Sequence, residues 1–369
     1  MGLVRGETRP HQTVSLKEAA QWIELIGDTR VVIVRGEMGI GKTTILKELA
    51  KRRPKHIPCY VDMTTKDIGD LLAPKFVKIN GMDVMQFIAN AEFGLQHNQP
   101  LIIMWDEFTK ANKVVQTQCI RALQEWQLGE HKFPPGTIQF ATGNLSEEGL
   151  LDALQPHHAN RAMQIVVRKP NDTEWIQDFA IPNNIHPTVI QSVRQFPQML
   201  ASYQDYKTPG ENPYIYDPER PMPAVVTPRS LESVSVCLWR IEEAPEHLRL
   251  SYDAKVHGIA GLVGERAAAD IMSVDVLNSE LPPWEAVATT PDKAPVPTSA
   301  GAQCLFVYSA IQKVAEDTAT PLIKYLSRMP LETQALFATT VLQTTKAAML
   351  MDNKSFFSWA QENNWMLKA

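Results

Sequence analysis

Gly36-Glu37-Met38-Gly39-Ile40-Gly41-Lys42-Thr43 fits G-x-x-x-x-G-K-[ST], and it follows the β-branched run Val31-Val32-Ile33-Val34. The chemistry that this spacing serves is the cradling of a polyphosphate. Gly36, Gly39 and Gly41 allow positive φ and let backbone N–H groups approach phosphate oxygens where a Cβ would collide. A helix beginning near Lys42 adds the partial positive charge of its N-terminus. Lys42 is then the cation for the β- and γ-phosphates, Thr43 the hydroxyl that completes a Mg²⁺ shell, and Thr44 a support for the α- and β-phosphates. The expected contact set is Glu37, Met38, Gly39, Ile40, Gly41, Lys42, Thr43 and Thr44.

A second cluster lies further along. Leu101-Ile102-Ile103-Met104-Trp105 is a continuous apolar run, as in a strand covered on both faces, and it ends in Asp106-Glu107. Asp106 is expected to join Thr43 in supporting Mg²⁺, and Glu107 to orient or polarise an attacking water. Acid pairs also decorate ordinary surfaces, so the weight of this one comes from its distance behind the glycine loop. Residues 137–142 read as another strand, ending at Gly143-Asn144. At the C-terminal end of a parallel strand Asn144 faces the ligand crevice, within reach of water and γ-phosphate, although by itself Gly-Asn reads as a turn. Two arginines complete the set. Arg161 follows a short helical stretch and His157-His158, while Arg229 stands just behind Thr227-Pro228, a helix cap and first position. Each arginine alone reads equally well as a surface residue, and the adjacent histidines, with no further Cys or His nearby, make a poor metal pair.

The elements that must position these side chains follow from periodicity. Residues 15–25 form an amphipathic helix behind a Ser15 cap, and the glycine-loop helix closes at Lys51-Arg52-Arg53 before Pro54. Residues 57–61 make a second strand, and 64–72 a capped helical turn. Residues 73–83 form a loop or hairpin insert, able to reach a partner or a pore, ahead of a helix over 84–93. A helix spans 113–127, a last strand 163–167, and helices cover 172–179 and 187–199. These elements compose an α/β core, residues 1–205, with a parallel sheet flanked by helices. Pro-rich composition marks linkers at 206–226 and 282–298. Between and beyond them lie a helical lid, 227–281, and a C-terminal helical extension, 299–369, whose Met and aromatic residues read as core.

Composition narrows the partners. Lys and Arg total 36 against 41 Asp and Glu, and a net charge of −5 gives no general footprint for nucleic acid. Cys59, Cys119, Cys237 and Cys304 lack C-x-x-C spacing and sit in apolar segments, as reduced core thiols do. No apolar leader core follows Arg5, Arg9 and His11, and no run of about 18 apolar residues occurs, so a cytoplasmic protein without a membrane span is expected.

The order of the motifs resembles the AAA+ ATPases. The stretch 62–170 is most similar to the MoxR-like branch of their helix-2-insert group, through Asp106-Glu107, Ala141-Thr142-Gly143-Asn144, Asn160-Arg161 and Thr227-Pro228-Arg229. The resemblance implies ATP and Mg²⁺ as ligands and Glu107 as the catalytic acid. It makes Asn144 sensor 1, Arg161 the arginine finger given to a neighbouring subunit, and Arg229 the sensor-2 residue on the lid. Asn160-Arg161-Ala162 departs from the family's Asp-Arg-Phe, which leaves Arg168 and Arg121 as alternative fingers. It implies further a homo-oligomeric, hexameric ring that remodels another protein, with a von Willebrand factor A domain partner. Two other readings stay open. One is a nucleic-acid-directed motor acting through Lys75, Lys78, His131 and Lys132; the other is a nucleotide-gated scaffold with little turnover.

Overall fold

A computed structural model describes residues 13–145, 162–217 and 224–363. The chain divides into two compact units, residues 1–169 and 170–369. The first is built on a six-stranded, wholly parallel sheet. Its strands are β1 (Thr13–Val14), β2 (Val32–Arg35), β3 (Ile57–Asp62), β6 (Leu101–Asp106), β9 (Ile138–Gly143) and β10 (Met163–Val167), in spatial order β1-β10-β2-β9-β6-β3.

The period-two geometry of a strand sorts its apolar run onto two faces. On one face Ile33, Leu101, Ile103 and Trp105 pack with Val115, Cys119 and Leu123 of the helix Lys113–Glu125. On the other, Val32, Val34, Ile102 and Met104 pack with Ile23 of helix α1 (Leu16–Ile26) and with Ile45 and Leu49 of helix α2 (Thr44–Arg52). Burial of each such side chain contributes roughly 1.5–3 kcal/mol, which is why β2 and β6 are apolar at every position before the final Arg35 and Asp106. The Ser15 cap is present as a full capping box with Glu18. Cys59 and Cys119 are buried thiols, and burial pushes them up to about 11 and about 12.

One expected helix is a strand. Residues 84–93, read as helical, belong mainly to β5 (Met82–Ala89), which pairs antiparallel with β4 (Leu72–Ile79) in a separate two-stranded ribbon. Asn80 and Gly81 both have positive φ, 52° and 83°, as the tight type I′ connection requires, and this turn decides the outcome. No residue of either strand is buried.

The second unit is helical. Composition places a domain boundary at 205, whereas the compact units divide at 169. Trp175, Ile176, Val189 and Ile190 share a core with Leu231, Val234 and Leu238 of the helix Pro228–Glu242 and with Ile271 and Met272 of the helix Glu265–Asp275. The expected linkers hold core residues too: Tyr214 and Val226 join that cluster, and Val287 and Ala294 belong to a second cluster formed with the C-terminal helices. Proline there marks bends of a packed chain. His186 caps the helix Pro187–Gln195 through Nδ1, which accepts from the Thr188 amide, and its Nε2 meets Glu242 at 3.0 Å. That bond holds the Glu242 carboxyl below its ordinary range. No described helix is long and apolar enough to cross a membrane.

Candidate active site

In a parallel sheet every strand presents its C-terminal end to the same edge, where ligands bind. Here that edge gathers Gly36 after β2, Asp106 at the end of β6, Asn144 after β9 and Arg168 after β10. Strand β9 lies between β2 and β6, so Asn144 separates the glycine loop from the acids.

Gly39 and Gly41 have φ of 70° and 101° and turn the loop as expected. Gly36 does not: it is absent from the positive-φ glycines, and its smallness serves close packing. A Cβ there would stand 2.6 Å from Ile40 Cδ1 and 2.9 Å from the Val167 carbonyl oxygen. Helix α2 starts at Thr44, whose hydroxyl donates to the Gly41 carbonyl at 2.6 Å and pins the loop to its own helix. Thr43 sits at the N-cap with no capping bond from its hydroxyl, and Met38 is exposed while Glu37 and Ile40 are buried.

The decisive group is Lys42, only 6% exposed. Its ammonium donates to the carbonyls of Gly36 (2.9 Å) and Glu37 (2.8 Å) and to Asn144 Oδ1 (2.7 Å). Asn144 in turn donates through Nδ2 to both Glu107 carboxylate oxygens at 3.3 Å. The glycine loop and the ends of β9 and β6 are thus joined by one chain of hydrogen bonds. The geometry is that of a P-loop. Asp106 receives the Thr142 hydroxyl on Oδ1 and the Tyr60 hydroxyl on Oδ2, the latter at 2.7 Å. Thr142 also accepts the Glu107 amide at 3.1 Å, so one buried hydroxyl fixes both acids. Glu107 further pairs with Lys110, Nζ to Oε2, at 2.8 Å.

These groups fit Mg²⁺ and a polyphosphate. Asp106 and Thr43 would offer the hard oxygen ligands that Mg²⁺ takes, and two fixed donors leave Asp106 with lone pairs to spare. No cluster of three metal-ligating side chains exists among the described residues, so a metal at this edge would depend on phosphate oxygens and water.

Of the remaining expected residues, Arg161 lies outside the described residues, as do His157 and His158. Arg229 stands in the second unit, exposed in the first turn of the helix Pro228–Glu242, behind the Thr227 cap and Pro228. The alternative Arg121 is exposed and pairs with Glu125 at 2.8 Å on its own helix; Arg168 is half-buried at the end of β10. Sequence reasoning missed Tyr60, Thr142 as a bridge between the acids, and Lys110. Only Lys110 left a readable trace, its i,i+3 spacing from Glu107.

No family model matches the chain, and no curated protein does. Among solved structures, a Cytophaga hutchinsonii protein provisionally assigned as an ATPase is similar at 12% identity and a TM-score of 0.33, covering 96% of this chain and 90% of its own. A RuvB variant from Thermotoga maritima is similar at 13% identity and a TM-score of 0.34, covering 85% of each. Superpositions that loose carry no argument about function.

Proposed function

We propose that this chain is a Mg²⁺-dependent ATPase of AAA+ type. The observation that carries the reading is the chain of hydrogen bonds from Lys42 through Asn144 to Glu107, which links a P-loop cation to a carboxylate two strands away. In the reaction, Lys42 and the loop amides neutralise and orient the triphosphate. Glu107 holds water for attack on the γ-phosphorus, and Asn144 sets the separation of the two. Thr43 and Asp106 would hold a Mg²⁺ ion together with the phosphates, and that ion would supply charge stabilisation for the leaving group.

The finer reading is a MoxR-like, hexameric ring that couples turnover to remodelling of a partner protein, with a von Willebrand factor A domain protein as the candidate partner. Arg161 would complete a neighbour's site, and Arg229 would report nucleotide state to the helical lid; both assignments rest on the order of motifs. The test is steady-state ATP hydrolysis with parallel nucleotide binding. Glu107→Gln should bind ATP and lose at least 100-fold in kcat, while Lys42→Ala should lose binding. Nucleotide binding with no measurable wild-type turnover would remove the hydrolytic reading and favour a nucleotide-gated scaffold, and turnover unchanged in Glu107→Gln would remove Glu107 as the acid that holds the water.

One observation favours a second reading. On the exposed β4–β5 ribbon Phe76 is 74% exposed, with Lys78 two residues on along the same face and Lys75 on the opposite one, a basic and aromatic ribbon suited to single-stranded nucleic acid. ATPase stimulation by DNA at physiological salt, lost when both lysines become Glu, would establish a nucleic-acid-directed motor instead.

A further inference from the structure

We infer that Lys110 is a positioning residue for Glu107 in the hydrolytic step, an inference that rests on the ATPase reading above. Glu107 leaves β6 with φ of 51°, a left-handed conformation uncommon for a non-glycine residue and enriched at functional sites. The chain then makes a single 3₁₀ turn, Phe108–Lys110, which returns the Lys110 ammonium to the carboxylate it has just passed.

That turn is tightly held. The buried Gln116 amide donates to the carbonyls of Phe108 (3.1 Å), Thr109 (3.3 Å) and Ala111 (3.0 Å). The Glu107 amide is tied to Thr142, and Gly143 makes room for Thr109, whose Oγ1 would stand 2.6 Å from any Cβ at that position. The backbone carrying Lys110 is therefore fixed, and the 2.8 Å contact to Oε2 follows from the turn. Asn144 reaches the same carboxylate at 3.3 Å. An ionised carboxylate offers about four acceptor sites, so both donors can hold it and still leave room on Oε1 for a water.

Stability does not account for the pair. Its side chains are 35% and 24% exposed, and ion pairs so open to solvent contribute little to folding. Orientation does. A glutamate otherwise has three rotatable bonds, and a misplacement of about 1 Å at a reacting group can cost about 100-fold in rate.

The experiment uses the full-length chain, with ATP hydrolysis, equilibrium binding of a fluorescent ATP analogue and thermal melting measured on the same preparations. In Lys110→Met, kcat should fall about tenfold or more while KM, analogue affinity and melting temperature stay unchanged. Lys110→Arg should recover most of kcat, since a guanidinium can reach the same oxygen. Lys110→Gln serves if the Met variant does not fold. An unchanged or raised kcat overturns the inference, and so does a loss matched in nucleotide affinity or melting temperature. The two levels separate cleanly. Wild-type protein that turns over no ATP defeats the ATPase reading itself, whereas full turnover in Glu107→Gln defeats the role of Glu107 and, with it, that of Lys110. Turnover that Glu107→Gln abolishes and Lys110→Met leaves intact defeats only the role of Lys110.

Discussion

Asp106 is held from both neighbouring strands, by Thr142 of β9 and by Tyr60 of β3. Tyr60 lies opposite Met104 in the register, two residues short of Asp106 and on the same face, so its ring spans the diagonal and its hydroxyl meets Oδ2. Tyr60→Phe keeps the ring and removes only that donor. Its expected effect is a rise of about tenfold in the Mg²⁺ concentration for half-maximal turnover, with metal-free nucleotide binding unchanged; hydrolysis rate against Mg²⁺ checks the first and fluorescence titration without Mg²⁺ the second. The residues that the sequence makes readable here are those whose roles are set within one short segment. Lys42, Asp106 and Glu107 are of this kind, because a loop or a strand end dictates their direction. Tyr60 was not readable, because its role exists only once β3 is known to pair with β6. Gly36 shows the same limit: its spacing fits the motif, yet the reason only glycine fits is a carbonyl oxygen of β10.

At the scale of elements, the β4–β5 ribbon stands apart from the rest. A two-stranded sheet is marginal in water by itself, and this one exposes Phe76, Met82, Met85, Phe87 and Ile88. Its base is tied to the neighbouring hairpin of β7 (Gln127–Leu128) and β8 (His131–Lys132), where His131 Nε2 lies 2.7 Å from the Phe87 carbonyl oxygen. Since no residue of either ribbon strand is buried, replacing 73–88 by a short Gly-Ser turn should shift the melting temperature by no more than about 2–4 °C, and leave ATP-analogue binding intact, by calorimetry and titration. The ribbon also explains the misread helix. Val84, Met85, Phe87 and Ile88 suit a helical face as well as a strand, and a strand exposed on both sides lacks the clean alternation that would separate the two. Helix ends were more legible: Ser15 and Thr227 cap as expected, because a capping side chain needs only its own first turn.

At the scale of the whole molecule, proline-rich composition suggested boundaries that the packing does not observe. Tyr214, Val226, Val287 and Ala294 carry the signal, as apolar residues buried inside stretches whose prolines suggest a linker. Ring formation belongs to this scale as well. With a slowly hydrolysed ATP analogue, light scattering should report an assembly of several copies, and Lys42→Ala should stay smaller; a particle of one copy with full activity would exclude an arginine supplied in trans. The strand order has one more consequence, and it concerns time. Strand β2, which feeds the P-loop, pairs only with β9 and β10, and Lys42 and Asn144 stand 102 residues apart. A chain emerging from the ribosome therefore exposes its glycine loop long before the strands that hold it exist. Strands β3 and β6 pair with each other and are made before β9, whereas both partners of β2 are made after it. The Lys42–Asn144 link cannot form before β9 has been made, so on the ATPase reading nucleotide affinity would report that these distant strands have met.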